Sequence, residues 1–137
     1  MRFVLDTNVL MSGLFFGGKP AQIIDWWLTS GSILLVTEDV LAEYSVVLER
    51  LASRYPSIHA RSLFQMIALR SMLVVAKDVP RDACADATDL KFLACALAGK
   101  GKRIISGDKH LLEVDGWKGI RIVKPAEFIA DQIGNRK

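Results

Sequence analysis

Short apolar runs alternate along this chain with longer stretches in which apolar residues recur at helical spacing, and the alternation sets the order of elements. Arg2 to Leu5 is apolar and β-branched, ends abruptly in Asp6-Thr7-Asn8 and feeds an apolar stretch of helical character, so a strand runs straight into a helix. Gly17-Gly18-Lys19-Pro20 breaks the chain, with Pro20 placed to open a second helix to Thr29. Ile33 to Val36 is an all-apolar strand, after which Thr37 offers an N-cap for a long helix from about Glu38 to Arg54. Tyr55-Pro56-Ser57 breaks the chain again, Ile58 to Met72 predicts a further helix, Leu73 to Val75 a third strand, and Lys77 to Thr88 a polar loop. The acidic segment from Asp86 runs into a strongly apolar helix ending at Gly99, with Asp89 in its first turn. Arg103 to Ser106 is a fourth strand, Lys109 to Glu113 a turn of helix, Ile120 to Val123 a fifth strand, and Pro125 opens the last helix.

Strands and helices alternating throughout predict a three-layer α/β/α sandwich with a central parallel sheet of about five strands. In such a sheet all strand C-termini and following helix N-termini share one edge, where ligands bind. Asp6 and Asp108 end strands there, and Asp89 lies in the first turn of its helix. Glu43 stands among Val40, Tyr44 and Val47 on the apolar-leaning side of its helix, where a carboxylate needs a cation, a metal or a hydrogen-bond donor, unless it snorkels out at the boundary. Asp6 and Asn8 also suit a simple helix cap, and the junction alone does not choose between cap and chemistry.

Composition narrows the class. With 137 residues, 51% of them hydrophobic and 24% charged, the chain fits one domain, residues 1–137, with a substantial core. No apolar run approaches the ~20 residues of a membrane span, and the N-terminus lacks the basic region of a signal peptide, so a cytoplasmic protein is expected. Cys84 and Cys95 make no disulfide framework and, with His59 and His110 unpaired in spacing, no zinc site. Residues 1–99 carry nine Lys/Arg against ten Asp/Glu, whereas residues 100–137 carry nine against five. This C-terminal excess, including Lys100, Lys102 and Lys109, suits phosphate contacts, though a solvated surface explains it as well. In the helix from Pro20, Ile23, Ile24, Trp26, Trp27 and Leu28 cover more than one face, which either a broad core or a partner surface would explain.

Asp6, Glu43, Asp89 and Asp108 packed together would repel and protonate without a multivalent cation. An all-oxygen set suits Mg²⁺ or Mn²⁺, which chiefly serve phosphoryl chemistry.

Val4-Leu-Asp-Thr-Asn-Val-Leu10, Glu43 in its helix, Asp86-Ala-Thr-Asp-Leu-Lys-Phe-Leu-Ala-Cys-Ala96 and Ile104-Ile-Ser-Gly-Asp-Lys-His-Leu-Leu112 form an ordered set. In that set the chain resembles the PIN domain family, specifically the small prokaryotic PIN proteins grouped with VapC-type toxins. The resemblance implies a Mg²⁺- or Mn²⁺-dependent endoribonuclease acting on single-stranded RNA. It implies Asp6, Glu43, Asp89 and Asp108 as catalytic and metal-binding residues, with polar support from Thr7, Asn8 and Ser106, while Lys109, basic and next to Asp108, is placed to hold a flanking phosphate of the substrate. It further suggests an antitoxin partner, and the apolar face around Trp26 and Trp27, if exposed, would serve a homodimer or an antitoxin helix. Ser106 replaces a frequent Thr, His110 stands where many members are acidic, and Asp86 could assist or substitute for Asp89. A haloacid-dehalogenase-like phosphatase also places an Asp at the end of its first strand, but needs an acid two residues on, where this chain has Asn8. An inactive PIN module that binds a partner or RNA is the third reading.

Overall fold

A computed structural model describes residues 1–133. Five parallel strands, β1 (Arg2–Leu5), β2 (Ile33–Val36), β3 (Ser71–Leu73), β4 (Arg103–Ile105) and β5 (Arg121–Val123), form one sheet in the order β3-β2-β1-β4-β5. The strands are short and wholly apolar at their buried positions, as strands covered on both faces must be. β1 pairs with β2 through Phe3 and Leu34 and with β4 through Leu5 and Ile105, so it is the centre of the sheet. The order reverses between β1 and β4, and the crevice beyond their carboxyl ends is the topological switch point where doubly wound folds bind ligands.

Helices α1 (Thr7–Phe15), α2 (Gly18–Ser30), α3 (Glu38–Ala52), α4 (Ala60–Leu69), α5 (Leu90–Gly99), α6 (Lys109–Leu112) and α7 (Pro125–Gln132) complete the chain, and a 3₁₀ turn, Ala87–Asp89, leads into α5. Thr37 caps α3, its hydroxyl accepting from the Val40 N–H at 3.2 Å. Two contacts then tie helices to the sheet close to the crevice. The Tyr44 hydroxyl of α3 donates to the Leu5 carbonyl at 2.5 Å, one residue before Asp6. Gly99 lets α5 close on β2, since a Cβ there would sit 2.6 Å from Leu35 Cδ1.

The broad apolar face of α2 is used within the chain. Trp26 and Trp27 are buried, and Trp26 packs edge-on against Phe3 of β1 and Phe128 of α7, with ring centroids 5.2 and 4.9 Å away. The alternative of a partner surface at these tryptophans is thereby corrected: both are buried within the chain, Trp26 under the sheet and the last helix. Cys84 and Cys95 are free and buried, and burial pushes the Cys95 thiol up to about 12, so they pack rather than react.

One stretch departs from its expected boundaries. The helix foreseen over Ile58 to Met72 stops at Leu69, and the third strand occupies Ser71–Leu73 instead of Leu73 to Val75. A short apolar run carries no period that separates helix from strand, and here pairing with Leu34–Val36 decides. Ser71 joins the ladder, its hydroxyl donating back to the Ile67 carbonyl at 2.5 Å, and Val75 is left 90% exposed beyond the edge strand. No described helix is long and apolar enough to cross a membrane.

Candidate active site

β1 and β4 deliver their last residues side by side, since the Asp6 N–H donates to the Ile105 carbonyl at 3.0 Å. Asp6 follows the first strand and Ser106-Gly107-Asp108 the second. Ser106 is wholly buried and joins them: its hydroxyl donates to Asp6 Oδ2 at 2.6 Å and accepts from the Asp108 N–H at 2.9 Å. Its hydrogen bonds are thus committed to the two aspartates, behind any surface a substrate touches. Asp6 stands at the N-cap position of α1 without a side-chain capping hydrogen bond, so its carboxylate faces the crevice chemistry instead. Asp108 Oδ1 caps α6, accepting from the His110 N–H at 2.7 Å.

Glu43 answers the requirement that a carboxylate on that face meet a cation or a donor. Lys91 Nζ donates to its Oε1 at 2.7 Å, and the Thr7 hydroxyl donates to its Oε2. Asp89 arrives from the turn before α5, is 7% exposed, and its Oδ2 is buried without any hydrogen-bond partner. Asp86 plays a different part. Its Oδ1 accepts from the Thr88 N–H at 2.9 Å and the Thr88 hydroxyl at 2.8 Å, capping the turn that carries Asp89. His110 is half-buried, with an unpartnered Nδ1, and its carbonyl accepts from the Cys84 thiol at 3.4 Å.

The electrostatics of the crevice follow from this crowding. Burial, then the charges of Asp108, Asp86, Asp6 and Glu43 in that order, pushes Asp89 up to about 6. Asp6 is likewise raised by burial, with Asp108 and Glu43 adding to it. The Ser106 hydroxyl and, more weakly, the Asn8 N–H, which falls short of a capping hydrogen bond, pull it down. Asp86 is lowered by the Thr88 N–H and hydroxyl and stays charged. Asp89 is thus flanked by four other carboxylates, the five coming from four separated stretches of chain. Residues 2–110 of the chain match the PIN domain family.

The chain belongs to the PIN domain family. PIN domains are typically nucleases and generally use divalent metals. No curated protein matches this chain.

As the side chains stand, no three His, Cys, Asp or Glu residues among those described are grouped closely enough to hold a metal ion. The fit of this PIN domain to a divalent cation rests on its donors. Asp89 Oδ2 is a buried anionic oxygen with nothing to bind, while Asp6 and Asp108 each spend one oxygen on a fixed internal donor, which aims the carboxylate. These are hard oxygen donors, suited to Mg²⁺ or Mn²⁺.

Beside Asp6 and Asp108 opens a groove of about 330 Å³ lined by these two with Asn8, Ser12, Gly107 and Pro125, and not by Asp89 or Glu43. Asn8 is exposed in it, and Lys109 is exposed on the residue after Asp108. Lys100 and Lys102 are not at this edge. The Lys102 N–H donates to the Arg2 carbonyl where β1 begins, and both lysines line a pocket with Lys118 at the opposite end of the strands. Lys91, Thr88 and Ser12 were not singled out from sequence. For Lys91 a signal existed, a cation two residues after Asp89 on the same helix start, but its partner on α3 is 48 residues away.

Proposed function

We propose that this PIN domain is a metal-dependent endoribonuclease that cuts single-stranded RNA by attack of water on a phosphodiester. The observation that carries the proposal is the buried, unpartnered Asp89 Oδ2, on a turn tied through Lys91 to Glu43 at the sheet edge where Asp6 and Asp108 follow their strands. Asp6, Asp89 and Asp108 would hold Mg²⁺ or Mn²⁺, with Glu43 beside them. When bound, a divalent cation neutralises charge developing on the phosphate oxygens and lowers the pKa of the attacking water.

The chain's own residues do the rest. Ser106 fixes Asp6 and Asp108 relative to each other, Thr7 and Lys91 fix Glu43, and the capped turn at Asp86 presents Asp89. Preset geometry of this kind spares reorganisation at the moment of reaction. Asn8, in the groove beside Asp6, is placed to donate to a phosphate or sugar oxygen, and Lys109 to meet a flanking phosphate. An open groove with a basic flank suits a polymer better than a small phosphate ester. The chain would act as the toxin of a toxin-antitoxin pair, as a homodimer silenced by an antitoxin. With the tryptophans buried, such partners would meet exposed apolar side chains such as Phe16, Leu69 and Leu73.

The test is cleavage of a labelled single-stranded RNA by purified protein. Fragments should appear with Mg²⁺ or Mn²⁺ and not in EDTA, and p-nitrophenyl phosphate should remain intact. Release of phosphate from the monoester with a phosphorylated Asp6, and no RNA cut, would instead establish the phosphatase.

A further inference from the structure

Lys91 is the one cation bonded to the acidic cluster among the described residues. Its Nζ donates to Glu43 Oε1 at 2.7 Å and to the Thr88 carbonyl at 2.7 Å, so it joins α3 to the turn that ends in Asp89. The pair is sheltered, its side chains being 21% and 30% exposed. Thr7 takes the other oxygen of Glu43. Glu43 is thus the one member of the cluster with both oxygens committed and its charge matched, whereas Asp89 Oδ2 has no partner at all.

Building on the metal-dependent reading, we infer that Lys91 is a positioning residue that keeps Glu43 out of the metal's ligand set. Three aspartates then bind the cation, and the Lys91–Glu43 pair serves as a strut that holds the Asp89 turn against α3. A bare fourth carboxylate would draw the cation, or a second one, toward α3. With Lys91 in place the charge facing the crevice is that of the three aspartates. The positive charge of Lys91 would also oppose a divalent ion beside the aspartates to the extent that Glu43 leaves it unmatched. Lys91 therefore trades metal affinity for a fixed geometry of the aspartates.

The claim is tested by Mn²⁺ titration calorimetry on the full chain, with circular dichroism to verify the fold of each variant. Glu43→Gln, which keeps the shape and a hydrogen-bonding oxygen but leaves the Lys91 charge unmatched, should weaken Mn²⁺ binding by no more than about tenfold, while Asp89→Asn should weaken it by about a hundredfold or more. Lys91→Met should tighten binding about tenfold by freeing Glu43 and removing the opposing charge. That gain should largely disappear in the double variant Lys91→Met/Glu43→Gln, and Lys91→Arg should behave as the parent. A Glu43→Gln defect as large as that of Asp89→Asn, or unchanged affinity in Lys91→Met, would overturn the role given to Lys91 and leave metal dependence standing. A folded parent that binds no Mn²⁺ would overturn the metal-dependent reading and this inference with it.

Discussion

Asp89 and Ser106 show how single residues set this site. Asp89 is held up at about 6 in the folded chain, against roughly 4 for an exposed aspartate. The folded state therefore binds its proton more tightly than the unfolded state. In chelator its contribution to stability is intact below about pH 4, declines as pH rises toward 6, and stays lost above. Asp89→Asn removes the charge and keeps the shape, so the variant should melt above the parent at pH 7 in EDTA, and the two should converge near pH 4. Thermal melts across that range check it, and a difference that grows on acidification would contradict it. Ser106→Ala leaves the buried Asp6 carboxylate and the partly buried Asp108 N–H without their shared partner, a loss of about 1–3 kcal/mol in urea unfolding, and Ser106→Thr should retain most of that. The carboxylates were legible in the sequence because each sits at a strand end, a helix start or an apolar helix face. The Lys91–Glu43 pair and the relay through Ser106 were not, because pairing across 48 and 100 residues leaves no local periodicity.

At the scale of elements, the site depends on how α3 and α5 seat against the sheet. Tyr44 anchors α3 to the end of β1, and Gly99 lets α5 lie against Leu35 of β2. Gly99→Ala would add about 1 kcal/mol of helix propensity. Its methyl would meet Leu35 side-chain atoms at 2.6 and 2.7 Å, so overpacking of about 1–3 kcal/mol should dominate. Lower stability by urea unfolding, with the 3₁₀ turn at Asp89 shifted, is the expected outcome, whereas a more stable variant would show that Leu35 gives way freely. Most elements announced themselves through caps and breakers: Thr37 before α3, Gly99 at the end of α5 and Pro125 at the start of α7. The boundary between α4 and β3 did not, because Ser71–Leu73 becomes a strand only by pairing with β2.

For the whole molecule, the parallel sheet gathers acidic groups at one end of the strands and basic Lys100, Lys102 and Lys118 at the other. Charge counted along the sequence places these lysines in one C-terminal block with Lys109, and only the topology separates them. Lys109→Gln should therefore weaken binding of a short RNA and lower its salt dependence by about one ion, while Lys102→Gln should leave both unchanged for an RNA that fills only the groove. Equal effects of the two substitutions, read by fluorescence anisotropy, would contradict that division. The family and the parallel architecture were visible from sequence because their motifs mark strand ends in order. The use of Trp26 and Trp27 was not, since only their burial, with Phe3 and Phe128 packed on Trp26, shows that the face is filled from within.

The central claim, that Asp6, Asp89 and Asp108 form a metal-dependent centre for internal cleavage of RNA, is tested most directly with a circular single-stranded RNA, which has no ends to degrade. The parent chain should open the circle with Mg²⁺ or Mn²⁺ and leave it closed in EDTA, and Asp6→Asn, with its fold intact by circular dichroism, should be slower by about a thousandfold or more. Opening of the circle in chelator, or by Asp6→Asn at the parental rate, would contradict the account.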